Sequence, residues 1–113
     1  MACILFVEDE PALRLLIGDT LRELGHEVEL ASDGLVAAEL LAKSDYEVVI
    51  SDVTMPGGVS GIELAELVRA SHPSSKVILV SGHARVQLPP IPAAVDFLPK
   101  PYRISQLLAL LPD

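Results

Sequence analysis

Five short apolar runs alternate with segments of helical periodicity along this chain, and that alternation restricts its fold more than any other feature. The first run, Ala2 to Val7, is continuously apolar and ends in Glu8-Asp9-Glu10, the pattern of a strand buried on both faces. Pro11 suits a first helical turn, where its missing N–H does no harm. Leu13, Leu16, Ile17, Leu21 and Leu24 follow at helical spacing, and Gly25 ends that helix. Val28 to Ala31 reads as a second strand, and Asp33-Gly34 turns the chain into a helix over Leu35 to Lys43. Tyr46 to Ser51 is a third strand that runs into Asp52. Gly57, Gly58 and Gly61 lend flexibility to the next loop, and a helix from about Gly61 to Ser71 closes at His72-Pro73. Lys76 to Val80 and Ala94 to Leu98 read as strands four and five, and Ile104, Leu107, Leu108 and Leu111 mark a short last helix. Strands that alternate with helices imply βαβ units and a parallel sheet covered on both faces. Right-handed crossovers and five strands suit a doubly wound α/β fold of order 2-1-3-4-5.

One segment breaks the pattern. A crossover helix belongs between strands four and five, but "HARVQLPPIPAAV" carries Pro89, Pro90 and Pro92, which forbid a regular helix. At most one turn fits, around Ala84 to Gln87. The fourth helix is therefore expected to be short or irregular, within a largely irregular, mobile loop. The small-residue and Pro-rich stretch near Val86 to Ala93 hints at an interaction loop.

The 113 residues suit one domain, 1–113, and half of them are hydrophobic, which argues against disorder. A formal charge of −8 argues against nucleic-acid or anionic-membrane binding, since phosphate contacts need clustered Lys and Arg. The single cysteine, Cys3, sits in the first apolar run and reads as a small packed hydrophobe. The start has neither a basic n-region nor an apolar stretch of signal-peptide length, and no run approaches a membrane span. A cytoplasmic location is expected. His26, in a turn, and His72, at a helix end, read as structural.

The carboxylates are the informative residues. In a 2-1-3 order the carboxyl ends of strands one and three are neighbours, where open α/β sheets place their ligands. Glu8 and Asp9 then lie close to Asp52. A like-charge pair ~4 Å apart costs about 4 kcal/mol at an effective dielectric near 20. A hard divalent cation offsets that repulsion, and Mg²⁺ fits best: it takes one or two carboxylates, keeps waters and accepts a phosphoryl oxygen. Strand four ends at the hydroxyl of Ser81, and Lys100 follows strand five. Singly, each residue has a bland reading: a strand-end carboxylate in water, a charge pair at a helix N-terminus, a capping hydroxyl, a solvated ammonium. Together at four strand ends they match the needs of phosphoryl transfer, with an aspartate that can form an acyl phosphate.

The motifs "LFVEDEP" (Leu5 to Pro11), "SDVTMPGG" (Ser51 to Gly58), "LVSG" (Leu79 to Gly82) and "LPKPY" (Leu98 to Tyr102) make the chain resemble the CheY-like receiver domains of two-component response regulators over essentially its whole length. The resemblance implies that Asp52 accepts phosphate from the phosphohistidine of a sensor histidine kinase or a histidine phosphotransfer protein. It implies Mg²⁺, with Mn²⁺ as an alternative, at Glu8, Asp9, Asp52 and the backbone carbonyl of Thr54. Ser81 takes the place of the switch hydroxyl, Lys100 that of the family's lysine and Phe97 that of the coupled aromatic. Thr54 and His83 flank the hydrolytic path as candidates for tuning the phosphoryl lifetime, with an ordinary loop histidine as the other reading of His83. Such a domain is a signalling phosphoacceptor rather than an enzyme, although it assists its own phosphotransfer and dephosphorylation. It regulates a downstream protein as a monomer or weak dimer.

The sequence also departs from the family. "MPGGVSG" carries one residue more than the commonest loop, Phe97 has no hydroxyl, and the fourth helix is mostly lost. Three rivals fit less well. A haloacid-dehalogenase-like phosphatase needs a second aspartate where Thr54 stands. A flavodoxin-like module needs a Ser/Thr/Gly phosphate loop where this edge is acidic. A pseudoreceiver would lack the complete site.

Overall fold

The computed structural model describes residues 2–84 and 87–112. The elements are β1 (Cys3–Val7), α1 (Pro11–Glu23), β2 (Glu27–Ala31), α2 (Gly34–Lys43), β3 (Val48–Asp52), α3 (Gly61–Ser71), β4 (Lys76–Ser81), β5 (Asp96–Pro99) and α4 (Ile104–Ala109). All strand pairs are parallel, in the order β2-β1-β3-β4-β5. The doubly wound α/β expectation therefore holds.

The strand residues sort by parity, as a pleat requires. Leu5, Val7, Val49, Val77 and Leu79 pack with Ala37 and Leu41 of α2 and Leu64, Ala65 and Val68 of α3. Ile4, Phe6, Val48, Ile50, Ile78 and Val80 face the other way, onto Ile17 and Leu21 of α1 and Leu107 of α4. With both faces covered, β1 and β3 are buried almost throughout.

Several boundaries move for identifiable reasons. β5 starts at Asp96 rather than Ala94, because Ala94 adopts φ 66° in a turn that no strand accommodates. Asp52 is the last ladder residue of β3, opposite Val80. Of the expected apolar face of α1, Ile17 and Leu21 are buried and Leu13 packs half-buried on the same core, with Gly18 buried beside them, whereas Leu16 and Leu24 are more than half exposed. A Cβ on Gly18 would lie 2.8 Å from Leu30 Cδ2, the tip of a side chain that can shift. The last helix stops at Ala109; Leu110 and Leu111 continue only through hydrogen bonds to Leu107 and Leu108.

Among the described residues, the connection from β4 to β5 contains no α-helix, as its prolines dictate. Leu88 and Ile91 anchor it against the α2/α3 side of the core. The single expected turn from Ala84 to Gln87 includes Arg85 and Val86, which lie outside the described residues, as do Met1 and Asp113 at the ends of the expected domain. The Gln87 N–H donates to Ala84 O at 2.9 Å.

Cys3 is half-buried against the core, and burial, then the charges of Glu27, Glu47 and Glu29, push its thiol pKa up. His26 Nδ1 accepts from the Ala2 N–H at 2.9 Å. His72 caps α3, and its ring reaches Leu41 O and Asp45 Oδ1, both at 3.0 Å. Both histidines are structural.

Candidate functional site

Four strands deliver their last residues to one edge. The parallel ladders continue one step past the strand ends, through Glu8 N–H to Ala31 O (3.0 Å), Val53 N–H to Val80 O (3.0 Å) and Lys100 N–H to Ser81 O (2.8 Å). Backbone pairing therefore fixes the positions of Glu8, Asp52, Ser81 and Lys100 before any side chain interacts.

Glu8, Asp52 and Ser81 are buried, whereas Asp9 and Thr54 are exposed at the rim. One carboxylate oxygen from each of Glu8, Asp9 and Asp52 lies within 4.8 Å of the others. Lys100 Nζ sits 2.6 Å from Asp52 Oδ1 and 3.4 Å from Glu8 Oε1. Burial acts to lower the Lys100 pKa, but the hydrogen bond and charge of Asp52, helped by Glu8, outweigh it and raise it. Burial pushes the Glu8 pKa up, and the neighbouring Asp52 carboxyl adds to the rise. The Glu10 N–H and the Lys100 charge oppose it. The crevice thus holds more negative charge than its single ammonium balances.

A cavity of about 270 Å³ opens over this edge, lined by Asp9, Asp52, Thr54, Val80, Ser81, Gly82, His83 and Lys100. Ser81 Oγ accepts the His83 N–H at 3.0 Å, which leaves its own proton available to donate. Among the described residues, Asp52 Oδ2 is buried with no hydrogen-bond partner. An orphaned buried carboxylate oxygen is costly, and a cation beside three hard oxygen donors would satisfy it. The residues present therefore fit Mg²⁺.

Most of the residues singled out from sequence meet here. Phe97 does not line the cavity. It pairs with Leu79 across the sheet and packs half-buried on the α2/α3 side, where Met55, Leu88 and Ile91 join the same cluster. Tyr102 flanks Lys100 beside Leu13, Leu16 and Ile17. Sequence reasoning missed three residues. Glu10, not the Glu8-Asp9 pair, caps α1, accepting from Ala12 N at 3.4 Å and Leu13 N at 2.8 Å. Arg14 Nη1 donates to Glu8 O at 2.8 Å, bringing a second cation to the acidic turn through a reach that no sequence spacing announces. Gly61 approaches the backbone of Asp52.

A family model described as the response regulator receiver domain matches residues 4–112. The chain belongs to that family. It is a receiver of two-component phosphorelay signalling, whose members accept a phosphoryl group on an aspartate. It is 37% identical over 111 residues to the sensor kinase CckA of Brucella abortus, covering 94% of this chain and 12% of that protein. It is also 37% identical over 114 residues to the response regulator FleR of Pseudomonas aeruginosa, covering 97% of this chain and 24% of the relative. The chain thus spans a quarter or less of the length of these two relatives. Among solved structures, response regulator TrrA of Thermotoga maritima in complex with Mg²⁺-BeF superposes with a TM-score of 0.85 at 31% identity, covering 96% of this chain and 95% of that one. TrrA in complex with the histidine kinase ThkA gives 0.83 at 32%, covering 96% and 94%. Among the described residues of the receiver, no helix is long and apolar enough to cross a membrane.

Proposed function

We propose that residues 1–113 act as one receiver unit in which Asp52 takes a phosphoryl group from the phosphohistidine of a sensor kinase or a histidine phosphotransfer protein. The observation that carries this reading is the buried Asp52 Oδ2, which has no partner among the described residues, in a carboxylate that lines the cavity while Lys100 holds Oδ1. An Asp52 carboxylate oxygen attacks phosphorus in line with the departing imidazole nitrogen. The P–N bond breaks as the P–O bond forms, and the histidine leaves with the bonding pair. Glu8, Asp9, Asp52 and the Thr54 carbonyl are the ligands we assign to Mg²⁺ or Mn²⁺, which when bound supplies positive charge to the phosphoryl oxygens. The Lys100 ammonium and the Ser81 hydroxyl donate to the remaining oxygens, where charge accumulates.

Movement of Ser81 towards the phosphoryl group would leave room beneath it for Phe97 to turn further inward, an apolar coupling since Phe97 has no hydroxyl to trade. Water then hydrolyses the acyl phosphate, past Thr54 and His83 at the cavity rim. The complex of TrrA with ThkA supports a kinase as partner. Consistent with such a partner, a cytoplasmic location and a downstream target protein complete the proposal.

The test is intact mass after incubation with a small-molecule phosphodonor and Mg²⁺, beside Asp52→Asn. One added phosphoryl group in the wild type alone, lost on chelation, is the expected result. Equal uptake by Asp52→Asn would remove Asp52 from the role.

A further inference from the structure

The segment between β3 and α3 leaves Asp52 and returns to it. Gly57 (φ 94°) and Gly58 (φ 88°) occupy the left-handed region that lets the chain reverse. Ser60 then starts α3 with a reciprocal cap: its Oγ accepts the Glu63 N–H at 3.1 Å, and Glu63 Oε1 accepts the Ser60 N–H at 3.2 Å. Gly61, the first helical residue, is buried and donates its N–H to Val53 O at 2.8 Å. A methyl group on Gly61 would overlap the Asp52 carbonyl oxygen and lie 2.8 Å from that carbonyl's carbon and 2.9 Å from Val53 Cα. Backbone atoms cannot swing aside as the tip of a side chain can. The first turn of α3 therefore rests directly on the Asp52–Val53 peptide.

That peptide is the mount of the site. Tilting it turns the Cα–Cβ bond of Asp52 on one side and shifts the carbonyl of Thr54 on the other. We propose that Gly61 is a positioning residue for phosphoryl acceptance. By lacking a Cβ it lets α3 seat the Asp52–Val53 peptide and so set the aim of the Asp52 carboxylate and the Thr54 carbonyl. The inference rests on Asp52 being the phosphoacceptor.

A second glycine supplies the control. Gly34, the first residue of α2, is buried, and a Cβ there would lie 2.6 Å from Val59 O and 2.8 Å from Val59 Cβ. Gly34→Ala crowds the far end of the same loop without touching Asp52. Both alanine variants are unfolded with urea to establish conditions in which each is fully folded. Their phosphorylation by acetyl phosphate at saturating Mg²⁺ and their Mg²⁺ affinity are then compared with wild type. A misplacement of about 1 Å costs on the order of 100-fold in rate. Gly61→Ala is expected to lose about that much and to bind Mg²⁺ more weakly, while Gly34→Ala keeps near-wild-type values of both. Equal losses in the two variants, or no loss in Gly61→Ala, would overturn the positioning role. Wild type that gains no phosphoryl group, or gains it on a residue other than Asp52, would sink the phosphoacceptor reading instead.

If Gly61→Ala does not fold, amide resonances of the wild type decide. Addition of Mg²⁺ with beryllium fluoride is expected to move the Gly61 amide along with that of Thr54 and to leave Gly34 in place. A stationary Gly61 amide beside a shifted Thr54 would refute the proposal.

Discussion

Replacing Lys100 by methionine isolates the charge balance of the crevice, because the aliphatic stem stays and only the ammonium goes. Nζ lies 2.6 Å from Asp52 Oδ1 and 3.4 Å from Glu8 Oε1. At an effective dielectric near 20 these contacts amount to about 6 and about 5 kcal/mol of gross attraction. Desolvation of the three groups offsets most of it. So does carboxylate repulsion, at least about 3 kcal/mol for a pair of oxygens lying within 4.8 Å of each other. Removing one member of a buried ion pair costs about 3–5 kcal/mol, since the partner charge stays behind. The Lys100 side chain is 29% exposed against 3% for Glu8 and 6% for Asp52, and solvent screening favours the lower end of that range. Lys100→Met should therefore lose about 3 kcal/mol in chelator, or roughly 10 °C in Tm for a domain of this size. Urea unfolding measures the loss. Mg²⁺ should narrow the gap to wild type, because a divalent cation supplies the carboxylates with the charge the variant lacks. A variant within about 1 kcal/mol of wild type in chelator would refute the electrostatic account. So would a gap that Mg²⁺ leaves unchanged.

Leu107 is fully buried and is the only fully buried residue of α4. Leu107→Ala should cost about 3 kcal/mol in urea unfolding and detach that helix, read as loss of amide protection over residues 104–109. The Tyr102 phenol is pushed up to about 12 by burial and then by the Glu8 charge, with Lys100 opposing. A raised folded pKa favours the neutral phenol. Its stabilising contribution is complete below the ordinary tyrosine value near 10 and is lost as pH rises through about 12. Burial, then Glu29, also raises the pKa of the other tyrosine, Tyr46. Phenolate absorbance of the native protein should therefore stay low at pH 10, and a native tyrosine titrating there would contradict the assignment.

The sheet order and the four strand-end residues were legible because each rests on a strong local signal. Continuous apolar runs, prolines and glycines mark where strands stop, and a parallel sheet carries all its carboxyl ends to one edge. Glu8, Asp52, Ser81 and Lys100 meet through backbone ladders, so correct strands bring a correct site with them. The missing crossover helix was legible for the same reason, since Pro89, Pro90 and Pro92 exclude it locally. The exposed face of α1 was not legible. Leucines at helical spacing predict an apolar stripe, and Leu13, Ile17 and Leu21 do face the core, but which of the flanking leucines stays in solvent, here Leu16 and Leu24, depends on how far the sheet extends beneath the helix, a tertiary fact. Ala94 misled in the opposite sense: its composition suits a strand, but its φ is set by the turn before Asp96.

Gly61 and Arg14 show why the remainder of the site escaped. A sequence pattern reports which side chains share a face; it carries no signature for two backbones in contact or for a guanidinium reaching a carbonyl. Gly61 reads naturally as loop freedom, yet it lies buried at the start of a helix with negative φ, so its value is proximity rather than flexibility. Gly57 and Gly58 supply the flexibility. The chain reverses at exposed positions where both glycines adopt positive φ, away from the contact between α3 and Asp52. The reversal and the seating of α3 are carried by different glycines, so a change in the length of the reversal need not disturb the seating.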